Sequence, residues 1–160
     1  THILQINPNA ENGSAIWYTK SMKRQLYFTE NLEISNGTAE IPAMLWFANK
    51  RSLKIFALSS NRRPTEKTEL FYAPFFNVYE NGNVCMGTVD VNFQNSTSLE
   101  EFTEKWEDYF FNSYFSHLMN EHNPINGNCV NLWKSLINTE KPFPKEALKK
   151  ANATLKNLLQ

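Results

Sequence analysis

The sequence contains few cysteines and histidines, and it has no excess of charge of either sign. Its 160 residues include 2 cysteines and 3 histidines, with no Cys-x-x-Cys pair. Because a structural zinc site needs a close group of such ligands, we expect neither a metal ion nor a cofactor. The 16 basic and 16 acidic residues give a formal net charge of zero. We therefore expect no direct binding of nucleic acid through a broad basic surface.

A long hydrophobic run is also missing. No apolar stretch approaches the roughly 20 residues that a membrane-spanning helix needs, so we expect no membrane contact. The first residues, Thr-His-Ile-Leu-Gln, lack the pattern of a signal peptide, and we expect a cytoplasmic protein with reduced thiols. The absence of an initiator Met suggests a trimmed chain. The length and the ample apolar content are typical of one domain, residues 1–160.

The segment from Ala73 to Gly87 contains the residues with the clearest chemistry. Asn77 lies eight residues before Cys85, and an Asn81-Gly82 pair between them predicts a tight turn. A thiolate is both a good nucleophile and a good leaving group, so a cysteine can hold an acyl group in activated form. A fixed amide such as Asn77 can stabilise the oxyanion that forms during acyl transfer.

A structural interpretation of the same segment stays open. Asn-Gly between apolar stretches is the strongest short signal for a β-hairpin. Free cysteine is among the most buried residue types. Cys85 would then be an inert residue on a hairpin strand, and Asn77 a residue whose side chain bonds the backbone of its own loop.

The segment resembles the active site of ubiquitin-conjugating enzymes, where an Asn in a His-Pro-Asn motif precedes the thioester-forming cysteine. The sequence from about Ala15 to His117 is similar to the protein B family of PRTRC (ParB-related, ThiF-related cassette) systems, a prokaryotic ubiquitin-conjugating-like family. The resemblance rests on Ile16-Trp17-Tyr18, Arg24 to Phe28, Pro42 to Phe47, Lys54 to Leu58, Arg63-Pro64, Thr68, Leu70, Ala73 to Val78, Gly82, Val84-Cys85, Gly87, and Trp106 to His117.

The resemblance implies an α+β fold of the ubiquitin-conjugating type. An antiparallel meander of four strands would be followed by helices, with the active cysteine on a loop before the second helix. It further implies that Cys85 accepts a small ubiquitin-like protein as a thioester from a ThiF-like activating enzyme and passes it on. Such bacterial cassettes are carried on mobile elements. Two alternatives remain: a catalytically silent binding protein of the same cassette, and a Cys–His hydrolase that uses Cys85 and His117.

Two departures from the pattern of ubiquitin-conjugating enzymes affect the candidate site. Phe75-Phe76 replace the His-Pro that precedes the Asn, and Met86-Gly87 replace the usual Leu-Asp. The missing histidine normally supports the Asn loop. His117 is either a compensating acid–base group or a helix residue hydrogen-bonded in the core, and the pattern favours the structural role.

The remaining pattern predicts strands first and helices after them. Ala15 to Lys20 and Gln25 to Thr29 are strands joined by a basic turn, Glu40 to Ala48 and Leu53 to Ser59 form a hairpin, and Thr68 to Tyr72 is a last strand. Ser98 begins a helix with Glu101 as its capping-box partner, and Phe102, Trp106, Tyr109, Phe110 and Ser113 form its core stripe. Cys129 to Ile137 is helical, and Pro144 begins a final helix with Ala147, Leu148, Ala151, Leu155 and Leu158 on one face.

Overall fold

The computed structural model describes residues 2–9, 12–86, 93 and 97–159. These residues form β-sheets and α-helices, which confirms the expected mixed α+β class. The strands are β1 (Ile3–Asn7), β2 (Ser14–Thr19), β3 (Met22–Phe28), β4 (Gly37–Ile41), β5 (Met44–Asn49), β6 (Leu53–Ala57), β7 (Glu69–Tyr72), β8 (Tyr114–Phe115) and β9 (Lys150–Thr154), and the helices are α1 (Leu99–Asn112) and α2 (Cys129–Leu136).

The described strands are arranged in a larger and a smaller sheet. The larger sheet has six strands in the order β1-β2-β5-β6-β7-β9, all paired antiparallel. The smaller has the order β4-β3-β8, with β8 parallel to β3. The implied four-stranded sheet is therefore wrong. The order of strands first and helices after is also incomplete, because β8 and β9 follow α1.

A bent two-stranded ribbon connects the two sheets. β2 pairs with β5 and β3 pairs with β4, with no shift in register from Ser14 opposite Asn49 to Leu26 opposite Gly37. Pro42, which has no N–H to donate, lies at the bend between β4 and β5. The first two predicted strands therefore exist, but they do not pair across a basic turn, because both lie on one side of this ribbon.

Successive residues of the larger sheet alternate between two apolar cores. Trp17 of β2 packs in one core with Trp46, Trp106 and Trp133, whereas the next residue, Tyr18, packs in the other. The helices thus cover one face of the sheet. Burial of a large apolar side chain contributes roughly 1.5–3 kcal/mol, so the packing of these residues stabilises the helix-covered face of the sheet.

Two local predictions are confirmed, and a third is confirmed in part. The hydroxyl of Ser98 accepts a hydrogen bond from the Glu101 N–H at 3.2 Å, which caps the start of α1 but is only one half of the predicted capping box. The second helix begins at Cys129, as predicted, and ends one residue early. β5 and β6 form the expected hairpin, with the turn at residues 49–52.

The predicted helix after Pro144 is wrong. A single 3₁₀ turn at Lys145–Ala147 is followed by β9, which pairs with β7 and forms one edge of the larger sheet. Leu148 packs in the core beneath the helices, whereas Leu155 packs in the core on the opposite face of the sheet. One helical stripe cannot reach both faces, so the helical spacing of these residues is overridden by strand pairing. Asn152, at φ 56°, occupies the bulge of β9.

Candidate active site

The loop that leads to Cys85 is a short hairpin spanning residues 78–84. The Gly82 N–H donates to the Tyr79 carbonyl at 2.9 Å, and the Tyr79 N–H donates to the Asn83 carbonyl at 2.8 Å. This is the pattern of a three-residue hairpin loop, in which the last loop residue must be left-handed. Gly82 has φ 92°, and the Asn81 side chain accepts from the Asn83 N–H at 2.9 Å. The predicted Asn81-Gly82 turn is confirmed.

This hairpin is fastened to β6 of the larger sheet. The Ile55 N–H donates to the Gly82 carbonyl and the Val84 N–H donates to the Leu53 carbonyl, both at 2.9 Å. A Cβ atom at Gly82 would lie 2.7 Å from the ring of Phe56. The turn glycine is therefore required twice, for its backbone conformation and for the close approach to the sheet.

The residues that replace the His-Pro motif are core residues. Phe75 and Phe76 are each 1% exposed. The Phe75 ring stacks on Phe115 at 5.5 Å and on Trp133 at 5.3 Å. The Trp133 indole N–H donates to the Pro74 carbonyl at 2.7 Å. Aromatic packing thus fixes the backbone directly before Asn77, where ubiquitin-conjugating enzymes use a histidine.

Asn77 connects the segment before Cys85 to residues 114–117. Its N–H donates to the His117 carbonyl at 2.9 Å, and its carbonyl accepts from the Cys85 N–H at 2.8 Å. Its side-chain Nδ2 donates to the Tyr114 carbonyl at 2.9 Å. Its Oδ1 accepts from the N–H and the hydroxyl of Ser116 at 3.1 and 3.0 Å. The residue itself is left-handed, at φ 65°.

The side chain of Asn77 imitates a neighbouring β-strand. It donates to the carbonyl of Tyr114 and accepts from the N–H of Ser116, as the backbone of a parallel strand would do. The bond to Tyr114 uses one of the two hydrogens on Nδ2. The second hydrogen points in a different direction and can be donated to another acceptor. The geometry therefore supports a role of Asn77 in holding the loop. The expected role as an oxyanion donor stays a prediction.

Asn77, Cys85 and His117 line one cleft of about 670 Å³. The structure thus brings together the three residues that the sequence singles out. The cleft is also lined by side chains of α1 and of the segment that follows it, namely Asp108, Tyr109, Asn112, Ser113, Tyr114 and Ser116, together with Met86. The described lining contains no lysine or arginine.

The two cysteines have different surroundings. Cys85 is half-buried at the cleft, whereas Cys129 is 3% exposed at the start of α2. Burial raises the pKa of the Cys129 thiol to about 12, so this thiol stays protonated at neutral pH. A protonated, enclosed thiol is a poor nucleophile.

His117 differs from its predicted structural role. It follows β8, outside any helix, and it is exposed rather than hydrogen-bonded in the core. Its Nδ1 lies 2.9 Å from the Ser116 hydroxyl, and its backbone N–H lies 3.4 Å from Asn77 Oδ1. The interpretation as a core helix residue is therefore wrong. The alternative, an acid–base role, stays a prediction.

Two further residues of the site were missed by sequence reasoning. The Tyr109 hydroxyl donates to the Met86 carbonyl at 3.0 Å, directly after the candidate nucleophile. Burial, and to a smaller extent the charge of Cys85, raise the pKa of Tyr109. Ser116 connects Asn77 to His117 through its hydroxyl. Tyr109 was assigned only to the core stripe of its helix, and nothing in the sequence distinguishes Ser116 from the other serines.

Other kinds of site were also sought in the part of the chain that the structure describes. No group of three or more His, Cys, Asp or Glu side chains is placed to hold a metal ion there. None of the helices within these residues combines the length and the apolar character needed to cross a bilayer.

Comparison with known proteins agrees with the resemblance seen in the sequence. The model of the family described as prokaryotic E2 family D matches residues 1–151. No curated protein matches the chain, and no solved structure matches it. The match covers nearly the whole sequence, including all of the candidate active site. The recognition of a prokaryotic ubiquitin-conjugating-like chain is thereby confirmed, and the chain belongs to prokaryotic E2 family D.

Proposed function

We propose that this protein carries a small ubiquitin-like protein as a thioester on Cys85. It accepts the modifier from a ThiF-like activating enzyme and passes it to an amine or a thiol. Membership of a prokaryotic E2 family supports an E2-like role in general. The half-buried thiol of Cys85 in an open cleft supports the choice of this residue, because Cys129 is enclosed.

One observation supports the proposal most strongly. The Cys85 N–H donates to the Asn77 carbonyl at 2.8 Å, and both residues line the same cleft. The turn between them folds the chain back, so that an amide and a thiol eight residues apart in sequence face one space. A nucleophile and a hydrogen-bond donor at one site are what acyl transfer requires.

Loading is an exchange between two thioesters. The Cys85 thiolate attacks the carbonyl carbon of the modifier, which is held as a thioester on a cysteine of the activating enzyme. A C–S bond to Cys85 forms, the carbonyl oxygen becomes an oxyanion, and the C–S bond to the activating enzyme then breaks. The enzyme's thiolate leaves with the electron pair, so no oxidant or reductant is consumed. The activating enzyme uses ATP beforehand to form its own thioester.

Discharge follows the same path with a different nucleophile. An amine attacks the carbonyl of the Cys85 thioester, the C–S bond breaks, and the Cys85 thiolate leaves. The second Nδ2 hydrogen of Asn77 stabilises the oxyanion of this step, which is worth about 2.7–4 kcal/mol for a donor of this kind. The nitrogen must also lose a proton, and in this proposal His117, which lines the cleft, accepts it.

The hydrogen bonds of Ser116 are compatible with a base role for His117. We infer a neutral imidazole that carries its proton on Nδ1, because the Ser116 hydroxyl can then donate to Asn77 Oδ1 and accept from Nδ1. In this tautomer Nε2 keeps its lone pair and takes the proton of the attacking amine.

A thioester-forming reaction tests this function. The protein is mixed with ATP, the ThiF-like activating enzyme and the ubiquitin-like protein of its PRTRC-type cassette. We expect a covalent adduct that requires ATP and disappears on treatment with a thiol reductant. Absence of an adduct with active partners would favour the second candidate, a catalytically silent binding protein of the same cassette.

A third candidate is a cysteine hydrolase, and the observation that favours it is the presence of His117 in the cleft of Cys85. The two activities differ in the nucleophile that ends the reaction. A carrier keeps its thioester in water and discharges it when an amine is added, whereas a hydrolase releases the free modifier without an amine. The half-life of the loaded protein with and without added lysine distinguishes them.

A further inference from the structure

The two residues Cys85 and Met86 are held from both sides. The Cys85 N–H donates to the Asn77 carbonyl at 2.8 Å, which fixes the backbone in front of the thiol. The Tyr109 hydroxyl donates to the Met86 carbonyl at 3.0 Å, which fixes the backbone behind it. We propose that Tyr109 is a positioning residue for thiol chemistry at Cys85. The role rests on the proposed function.

The placement of Tyr109 suits this role. It lies on α1, and its ring contacts Trp106 edge-on at 5.7 Å. Trp106 is fully buried, and its indole N–H donates to the Asn49 carbonyl at 3.0 Å. Helix, ring and hydroxyl therefore form a rigid support that starts in the core and ends at the residue after Cys85.

A rigid backbone beside Cys85 is important for thioester exchange. Thioester exchange requires the sulfur to approach a carbonyl carbon on a second protein along a restricted direction, so small displacements are costly. Met86 also packs its side chain against the main core. Removal of the Tyr109 hydroxyl therefore loosens the backbone beside the thiol without releasing the whole segment. Burial raises the pKa of Tyr109, which keeps the hydroxyl protonated as a donor.

The test compares Tyr109→Phe with Tyr27→Phe. Both changes remove only a hydroxyl, and Tyr27 lies on β3, where its ring contacts Tyr114 at 5.5 Å. Three quantities are measured for each variant: kcat and KM of thioester loading, the rate constant for alkylation of Cys85 by iodoacetamide with peptide mapping, and the melting temperature.

For Tyr109→Phe we expect kcat of loading to fall by about 2- to 12-fold, the range that corresponds to one hydrogen bond of ordinary net strength. The KM of loading, measured by varying the concentration of this protein at a fixed amount of activating enzyme, should not change. The reason is that the Tyr109 hydroxyl bonds to this chain's own backbone. Alkylation should become faster by a similar factor, since a small reagent needs access rather than alignment. Tyr27→Phe should match the wild type in all three measurements.

A loss of folded protein would lower loading and accelerate alkylation at both cysteines, because unfolding also exposes the buried Cys129. Slower loading with faster alkylation at Cys85 alone therefore separates positioning from unfolding. Loading and alkylation both equal to wild type would overturn the proposal, and so would a loss of loading caused only by a higher KM. If the wild type itself fails to load with active partners, the proposed function fails. In that case unchanged alkylation also overturns the role of Tyr109, whereas faster alkylation supports its hold on Cys85.

Discussion

The side-chain oxygen of Asn77 accepts hydrogen bonds from both the N–H and the hydroxyl of Ser116, at 3.1 and 3.0 Å. The two residues lie 39 positions apart in the sequence. Asn77 thereby joins the chain in front of Cys85 to the segment that forms the other side of the cleft. We therefore expect that loss of this side chain changes both the stability of the fold and the chemistry of the site.

Asn77→Ala should lower the free energy of unfolding by about 1–3 kcal/mol, because it leaves the Tyr114 carbonyl and the Ser116 N–H without their partner. It should also slow discharge of the loaded thioester by roughly 10- to 1000-fold, because the oxyanion loses a donor. Chemical denaturation measures the first effect, and single-turnover discharge to lysine measures the second.

The control for this variant is Thr19→Val. It removes a buried hydroxyl that accepts from the Trp46 indole at 3.1 Å, outside the cleft, and it should destabilise the fold to a similar degree. Its discharge should remain at the wild-type rate. If Asn77→Ala discharges normally once corrected for the folded fraction, Asn77 only holds the loop and is not an oxyanion donor.

His117→Ala should separate loading from discharge. Loading uses the Cys85 thiolate as nucleophile and needs no base at His117, so its rate should stay within about threefold of wild type, less than the effect of losing a general base. Discharge to an amine should slow by roughly 100-fold or more, because the attacking nitrogen loses its proton acceptor. The matched variant His122→Ala, whose ring packs on Tyr72 away from the cleft, should discharge normally. Equal discharge rates for both histidine variants would remove His117 from the mechanism.

Gly82→Ala should destabilise the protein more than Gly127→Ala. Both glycines have positive φ, 92° and 113°, so both changes strain the backbone. A Cβ at Gly82 would also lie 2.7 Å from the Phe56 ring, whereas nothing lies within 4 Å of the corresponding position at Gly127. We expect a cost of about 1–3 kcal/mol at Gly127 and a greater one at Gly82, measured by chemical denaturation. Equal costs would show that the hairpin can move away from β6.

Glu107 should make stability depend on pH. Burial, with the nearby charges of Asp108 and Glu104, raises the pKa of this carboxyl above its usual 4.5, although the hydrogen bond from Trp17 and the charge of Arg24 lower it. The folded protein then binds the proton more tightly than the unfolded chain does. The free energy of unfolding therefore falls as the pH rises from about 4.5 through the raised pKa, and it stays level above that.

Glu107→Gln removes this titration and keeps an acceptor for the Trp17 indole, which lies 3.1 Å from Oε2. The variant should match the wild type below pH 4.5 and exceed it in stability at pH 7. Glu100→Gln, at an exposed position of the same helix, should keep the wild-type slope. A wild-type slope in Glu107→Gln would assign the pH dependence to other groups.

Sequence patterns correctly predicted the elements whose defining residues lie close together in the chain. The Asn81-Gly82 turn and the cap at Ser98 depend on residues within a few positions of each other, and both are present. The helix after Pro144 failed because its apolar spacing was correct for a helix, but β7 offered an unpaired edge to the same residues. β7 and β9 lie far apart in the sequence, and pairing between such strands cannot be read from the local spacing of apolar residues.

The candidate site shows the same difference between local signals and long-range contacts. Cys85 and Asn77 are visible in one short segment, whereas the contacts that arrange them come from far along the chain. Ser116 and Tyr109 reach this segment only because α1 and β8 fold back over it. The exposure of His117 could not be foreseen either, because no local signal showed that the helix would end at Asn112, five residues before it.

The most direct measurement of the central claim is the mass of the protein after reaction with ATP, the ThiF-like activating enzyme and the ubiquitin-like protein, followed by mapping of the modified residue. We predict one modifier per chain, attached to Cys85, removed by a thiol reductant, retained in Cys129→Ser and lost in Cys85→Ser. An adduct of unchanged yield in Cys85→Ser, or one mapped to Cys129, would contradict the assignment of the thioester to Cys85.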